Sequence, residues 1–263
     1  MKISVITATW NSGKTIGDTL RSVLNQSFTN VEHIIKDGGS KDDTLEICKN
    51  FKQKYYTDGD KGRTINILSD NDKGIYDAMN QGIVAATGDV IGILNSDDFY
   101  TSDDVLARVA EEFANDSELE AVYGDIHFVK DENPKKCTRY FSSRYFRPWA
   151  LRFGFMPAHP SFYVRREVYE KYGLYDLDFR TSSDFEMMVR LFVKEKIRAK
   201  YINKDFVTMR AGGESTAGLA AKKKVNRDIA NSLRKHGVYS NQLFQSLRYF
   251  WRIGEILYTK IKY

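Results

Sequence analysis

The sequence predicts an α/β fold: a mostly parallel sheet flanked by helices on both faces, followed by a C-terminal helical extension. Three observations lead there. Short β-rich runs alternate with amphipathic helical patterns through the first half of the chain. Each of those runs ends in a polar or acidic cluster. The 263 residues, 42% hydrophobic and 29% charged, suffice for one large core and match an ordinary globular composition.

Ile3–Ala8 reads as a buried strand, and Thr15–Leu24 follows with Ile16, Leu20, Val23 and Leu24 at helical spacing. Val31–Ile35 is a second strand, and Asp42–Phe51 a helix with Leu45, Ile47 and Phe51 inward. Ile65–Leu68, Ile75–Ala86 and Val90–Leu94 continue the alternation as strand, helix and strand. Beyond residue 120 the pattern is less regular, with strands predicted over Ala121–Val129, Cys137–Phe141 and Ser161–Arg165. Asp184–Phe192 is a strong amphipathic helix carrying Phe185, Met188, Val189 and Phe192 on one side. A basic, aromatic tail begins near Leu219.

The net charge of +5 comes without a long cationic block, which argues against nucleic acid and leaves an anionic small molecule or membrane face. Cys48 and Cys137 form neither a disulfide framework nor a metal-like cluster, so a reducing cytoplasm and packing roles are expected. The apolar N-terminal run is too short for a signal peptide, and no stretch is long enough to span a bilayer.

Open parallel sheets bind ligands beyond the carboxyl ends of their strands. Those positions hold Thr7 and Thr9, Asp37, Asp70 and Asp72, then Asn95, Ser96, Asp97 and Asp98. The carboxylates of Asn95-Ser96-Asp97-Asp98 are hard oxygen ligands suited to Mg²⁺ or Mn²⁺. Helix capping by Asp98 or Ser102 explains the same residues equally well. In Asp37-Gly38-Gly39-Ser40 the acid can accept from a base or ribose while the glycines admit a ligand; a plain turn into an Asp42 cap is the competing explanation. Lys73, in Asp70-Asn71-Asp72-Lys73-Gly74, is placed to touch a phosphate, unless the segment is only a polar loop. Asp184 can act as general base on a hydroxyl, or simply favour a helix start capped by Ser182 or Ser183. His159, Trp10 and Tyr76 are weaker candidates for acceptor, phosphate or donor walls.

In order along the chain, SVITATWN, IKDGGSKDDT, LSDNDKGIYDAMNQGIVAATGD, IGILNSDD, HPSFYVRREVYEKYGLYD and SSDFEMMVRL resemble the family-two glycosyltransferases of GT-A (Rossmann-like) fold, especially bacterial members that build surface polysaccharides. The resemblance covers residues 1–215 as the GT-A domain and leaves 216–263 as the basic helical extension. It implies an inverting transfer of a sugar from a nucleotide-diphosphate donor, with UDP favoured, to a glycan or lipid-linked hydroxyl. Thr7 and Asp37 match positions that hold base and ribose, and Asp70 or Asp72 the acid at the uracil end. Asp97 matches the metal ligand of the Asp-x-Asp motif with Asp98 beside it, Mn²⁺ or Mg²⁺ being the implied cofactor. Asp184 matches the base. Asn95 replaces the first acid of that motif; it can still bond a ribose hydroxyl but is a poorer metal ligand.

The competing enzyme class comes from Ala8–Thr15, a near match to the phosphate-binding loop G-x-x-x-x-G-K-[ST], which would make the chain an ATP- or GTP-using NTPase or kinase. Ala8 in place of the first glycine, and bulky Trp10 within the loop, count against it. A non-catalytic scaffold is disfavoured by the retained Asp97 and Asp184. In the tail, Leu243, Leu247, Phe250, Leu257 and Ile261 share a helical face. That face suits an anionic membrane surface, placing the protein in the cytoplasm or peripherally on the inner face of its membrane, or else packing on the domain or on a second copy as a homodimer. Acceptor contacts are expected in residues 130–160 and near Ala211-Gly212-Gly213-Glu214-Ser215.

Overall fold

The computed structural model describes residues 1–56, 62–134, 136–211 and 218–262. The expected contacts at 212–215 and the expected boundary at 215/216 fall outside the described residues. The chain opens as β1 (Ile3–Thr9), α1 (Ile16–Leu24), β2 (Val31–Asp37), α2 (Thr44–Tyr55), β3 (Arg63–Ser69), α3 (Ile75–Ala85) and β4 (Val90–Ile93). A short β5 (Phe99–Tyr100) leads to α4 (Val105–Asn115), β6 (Ala121–Val129) and β7 (Arg139–Phe141). After 3-10 turns at Pro148–Phe153 and His159–Ser161 come β8 (Tyr163–Arg165), α5 (Arg166–Tyr172) and α6 (Ser183–Val189), which continues as a π-helical turn over Arg190–Lys194. β9 (Ala199–Arg210), α7 (Gly218–Lys235) and α8 (Gln242–Lys262) complete the order.

One sheet carries these strands in the order β3-β2-β1-β4-β8-β6-β9-β5, with β7 paired to the far half of β6. β1 to β4 run parallel to one another, and β6 and β9 run parallel to each other. β8 is antiparallel to both β4 and β6, so β4, β6 and β9 all point the same way and their exits share one end of the sheet. Helices cover both faces, which is why β1, β2 and β4 are continuously buried rather than alternating. α3 sets Ala78, Met79 and Ile83 against Ile6, Ile34 and Ile93. On the other face α4 packs Val105, Leu106, Val109 and Phe113 onto Ile3, Val5 and Val90. Cys48 belongs to the cluster between α1 and α2, its thiol pushed up to about 12 by burial, as suits a packing residue.

α2 begins at Thr44 rather than Asp42, whose carboxylate instead accepts from the Thr44 amide at 3.1 Å and hydroxyl at 2.5 Å. α4 begins at Val105, after Asp104, so neither Asp98 nor Ser102 caps a helix. The end of α7 is tied to α6 by buried Glu186, which meets His236, the residue after α7, at 2.6 Å, and Asp228 of α7 accepts from the hydroxyl of Thr181, just before α6, at 2.6 Å. Ile229 and Leu233 of α7 lie in the same core as Met187 and Met188. Of the described residues, no helix is long and apolar enough to cross a membrane.

Two close fits yield predictions. Gly92 faces Tyr163 across the β4–β8 pair, and a Cβ there would stand 2.3 Å from the ring carbon Cε1. The ring is held in place by a 2.6 Å hydrogen bond between the Tyr163 and Tyr100 hydroxyls. Gly92→Ala should therefore destabilise the protein by about 1–3 kcal/mol in urea unfolding, the usual size of an overpacking effect.

His33 lies fully buried in β2; its Nε2 meets Thr7 Oγ1 at 3.0 Å and its Nδ1 has no partner. Burial depresses the imidazole to about 3, below its ordinary 6.5. As pH falls from 6.5 towards 3, the unfolded chain takes up a proton that the folded one refuses, so stability drops by about 1.4 kcal/mol per pH unit from this group. His33→Asn should remove about that slope from denaturation midpoints compared between pH 7 and pH 5.

Candidate active site

The candidate residues come from the exits of β1, β2, β3 and β4, the start of α3, the turn before β8 and the start of α6. Thr7 is the exception. Its hydroxyl is spent on His33 inside the sheet, leaving Thr9, two residues on, as the threonine at the β1 exit. Thr9 Oγ1 is buried without a partner.

At the β2 exit Asp37 is buried and accepts from the Ser40 hydroxyl at 2.5 Å, the Ser69 hydroxyl at 2.9 Å and the amides of Gly39 and Ser40 near 3.2 Å. The carboxylate thus builds the loop whose backbone a ligand would meet. Lys36, a residue the sequence reading passed over, is buried beside it. Its ammonium donates to the carbonyls of Asp37 (2.9 Å) and Asp70 and stands 3.7 Å from Asp72 Oδ2, fastening the β2 exit to the β3 exit. A Cβ on Gly38 would lie 2.5 Å from that same carboxylate, so the close approach requires glycine. Asp72 also accepts from the Gly74 amide at 2.9 Å, while Asp70, Lys73 and Trp10 are exposed.

At the β4 exit the Asn95 side chain donates to Asp98 Oδ2 at 3.2 Å and leaves its own Oδ1 buried without a partner. Ser96 shares a 2.8 Å hydrogen bond with Ser12 of the β1–α1 loop. Asp98 is buried and also accepts from the Arg210 amide at 3.3 Å, whereas Asp97 stays half-buried. Burial raises the carboxyls of both above 3.8, and the Asp97 charge adds to the rise at Asp98. Arg210, at the end of β9, binds this group: its guanidinium donates to the Asp97 carbonyl at 2.7 Å, pairs with Asp131 at 3.1 Å and with Asp18, and lies 5.1 Å over the Phe99 ring. No spacing in the sequence announces it; its one signal is an arginine closing a strand just before a glycine pair.

Where α3 and α6 begin, the Tyr76 hydroxyl donates to Asp184 Oδ1 at 2.9 Å, and the Phe185 amide donates to the same oxygen. Burial, then the Asp184 charge, push the Tyr76 phenol well above 10, so it stays a donor. His159 hydrogen-bonds the Tyr175 hydroxyl at 2.6 Å, and Tyr175 packs 5.6 Å from Tyr76. Burial keeps His159 below 6.5, against the pull of Asp184, so the imidazole is neutral at pH 7. Asp184 and His159 line a cavity of about 320 Å³ together with Arg248, Tyr249 and Arg252 of α8.

The phosphate-loop reading of Ala8–Thr15 meets a physical obstacle. Such a loop cradles phosphate with free amides, but here the amide of Asn11 donates to the Ser40 hydroxyl, that of Ser12 to the Thr44 hydroxyl and that of Gly13 to Asp42. The amides of Thr15 and Ile16 both return to the Ser12 carbonyl.

Comparison with known proteins agrees with the transferase reading and gives the phosphate-loop reading no support. The family model for Glycosyl transferase family 2 matches residues 4–173. The PGL/p-HBAD biosynthesis glycosyltransferase of Mycobacterium tuberculosis is 30% identical over 200 residues, covering 76% of this chain and 73% of the relative. The chondroitin synthase of Escherichia coli is 36% identical over 121 residues, 46% of this chain and 16% of that protein. Among solved structures, S. aureus TarS 1–349 in complex with UDP superposes with a TM-score of 0.62 at 18% identity, over 89% of this chain; the chain spans 65% of that fragment. The mannosyltransferase PcManGT from Pyrobaculum calidifontis, in complex with GDP-Man and Mn²⁺, gives 0.59 at 16% identity, over 99% of this chain and 86% of that one. These superpositions establish a GT-A fold, and the sequence matches establish the family: the chain is a glycosyltransferase belonging to glycosyl transferase family 2.

Proposed function

We propose that this transferase moves a sugar from a UDP-sugar to an acceptor hydroxyl with inversion at the anomeric carbon, in the synthesis of a polysaccharide or glycolipid. The observation that carries the donor half is a pair of orphans. Thr9 Oγ1 and Asn95 Oδ1 are buried polar atoms without partners, at the exits of the adjoining strands β1 and β4. Buried polar groups are rarely left so, and a polar ligand held there would satisfy both. Asp70 and Asp72 would take the nucleoside end together with the backbone of the loop that Asp37 builds, on the exits fastened by Lys36. Lys73 and Ser96 would contact phosphate or sugar, with Trp10 as an exposed wall. UDP is favoured by the resemblance and by TarS having been solved with UDP and with UDP-GlcNAc.

The donor set suits a divalent cation in part. Asp97 supplies a half-buried carboxylate and Asn95 the unpartnered amide oxygen, while Asp98 is committed to Asn95 and Arg210. Asp97 and Asn95 would hold Mn²⁺ or Mg²⁺, which when bound neutralises charge developing on the diphosphate. Few protein ligands imply modest affinity, with the rest of the coordination left to the donor.

Asp184 is the proposed base. Its carboxylate takes the acceptor proton as the acceptor oxygen bonds the anomeric carbon and the bond from that carbon to the diphosphate oxygen breaks. One displacement by the acceptor needs no covalent enzyme intermediate and inverts the centre. Tyr76 holds the carboxylate in place, and neutral His159 and Tyr175 line the acceptor side.

Asp184→Asn should lower kcat by about 10²–10⁴-fold, the span of general-base contributions, while leaving UDP affinity unchanged. Turnover and nucleotide binding measured on the same preparation check this; a variant that keeps wild-type turnover would remove Asp184 from the base role. Nuclear magnetic resonance of the first-formed product reads the anomeric configuration directly, and retention would overturn the single displacement.

A further inference from the structure

We infer that α7 and α8 together form a docking surface for an anionic lipid bilayer. Among the described side chains of α8, one side packs on the domain while an apolar stripe on another stays uncovered. Inward, Phe244 stacks 5.0 Å from Phe153, Glu255 pairs with Arg139 at 2.8 Å, and buried Thr259 accepts from the Tyr140 amide at 2.8 Å. Outward, Leu243, Leu247, Phe250, Ile253 and Leu257 recur at steps of three and four and are 43% to 71% exposed. A stripe of that length with no cover is unusual on a soluble protein.

The edge of the stripe is aromatic. Trp149 stands 65% exposed on the Pro148–Phe153 turn, edge-on to Phe153 at 5.9 Å, and Tyr239 stands 69% exposed, edge-on to Phe244 at 6.2 Å. Indole and phenol rings at the border of an apolar surface suit the headgroup level of a membrane.

Charge selects the occupant. The chain has 40 Lys and Arg against 35 Asp and Glu; ten and two of these lie in 218–262, leaving thirty and thirty-three elsewhere. All the net positive charge therefore resides in the two terminal helices, and the remainder is slightly acidic. A cleft of about 1300 Å³ between α7 and α8 is lined by Lys223, Lys224, Arg227 and Arg234 beside amide side chains such as Asn231 and Gln242, a fit for anionic headgroups. A second copy on the same face would bring two such cationic segments together, which like-charge repulsion opposes. Apolar stripe, aromatic border and flanking cations are the combination that holds a helix flat in a lipid interface. α8 also walls the cavity at Asp184, so docking would set a lipid-borne hydroxyl beside that carboxylate. That corollary rests on the proposed base; the docking does not.

Co-sedimentation of the full chain with vesicles tests the inference, using phosphatidylcholine alone and phosphatidylcholine mixed with phosphatidylglycerol at physiological salt. Wild type should bind the anionic vesicles at least about tenfold more tightly than the neutral ones. Leu247→Ser with Phe250→Ser, and separately Lys223→Glu, Lys224→Glu and Arg227→Glu, should each lose about tenfold or more with unchanged melting temperature, since these side chains are exposed. Asp184→Asn should bind like wild type, which separates docking from catalysis. Equal binding to both vesicle types, or wild-type binding by either surface variant, would overturn the inference. So would a dimer in sedimentation velocity that Leu247→Ser with Phe250→Ser dissolves.

Discussion

A single guanidinium joins three acidic segments that lie far apart in the chain. Arg210 closes β9, yet it reaches Asp18 on α1, the carbonyl of Asp97 after β4 and Asp131 after β6. These acidic segments, one on α1 and two at strand exits, would otherwise repel one another in a partly desolvated space. Burial alone would raise Asp18, but the bonds from Arg210 and Arg21 outweigh it and hold the carboxyl below 3.8. The cation thereby fixes where the β4 exit sits, and with it Asn95, Ser96 and Asp97.

The same logic recurs at the exits of β2 and β3. Lys36 is a charge placed where a parallel strand should carry an apolar residue, and it is tolerated because two carbonyls and a carboxylate meet it. Asp37 is likewise consumed by its own loop. The groups left over at these exits are few: Thr9 Oγ1, Asn95 Oδ1, the half-buried Asp97 and the exposed loop from Asp70 to Lys73. A rigid frame of satisfied polar groups surrounding a small unsatisfied set is what preorganised binding requires.

Much of the frame was legible in the sequence. β1 to β4 read clearly because strands buried on both faces leave continuous apolar runs, and β6 matched its expected bounds. β9 did not. Lys200, Lys204 and Asp205 interrupt its pattern, and the β6–β9 register shifts on either side of Asp125. α4 displays its apolar spacing at 105, 106, 109, 110 and 113, but only a cap for it at Asp98 or Ser102 was considered, and its bounds were not drawn. α5 has only seven residues, and the helix after Ser183 ends in a π turn that propensity does not foresee. The place of Asp184 in the first turn of a helix was legible. The Tyr76 hydroxyl on it was not, since 108 residues separate the two and no local pattern records the contact. Arg210 was hidden for the same reason. Thr7 matched a ligand position by resemblance; it shares a face with Thr9 but lies two residues deeper in the strand, fully buried and bonded to His33.

The central claim is that these exits form a nucleotide-diphosphate site completed by a cation at Asp97. Calorimetric titration of UDP, GDP, dTDP and ATP, with and without Mn²⁺, on wild type and Asp97→Ala tests it most directly. UDP binding should be strengthened by Mn²⁺ and weakened by Asp97→Ala to its metal-free level. Preference for ATP, abolished by Lys14→Ala and indifferent to Asp97→Ala, would contradict it.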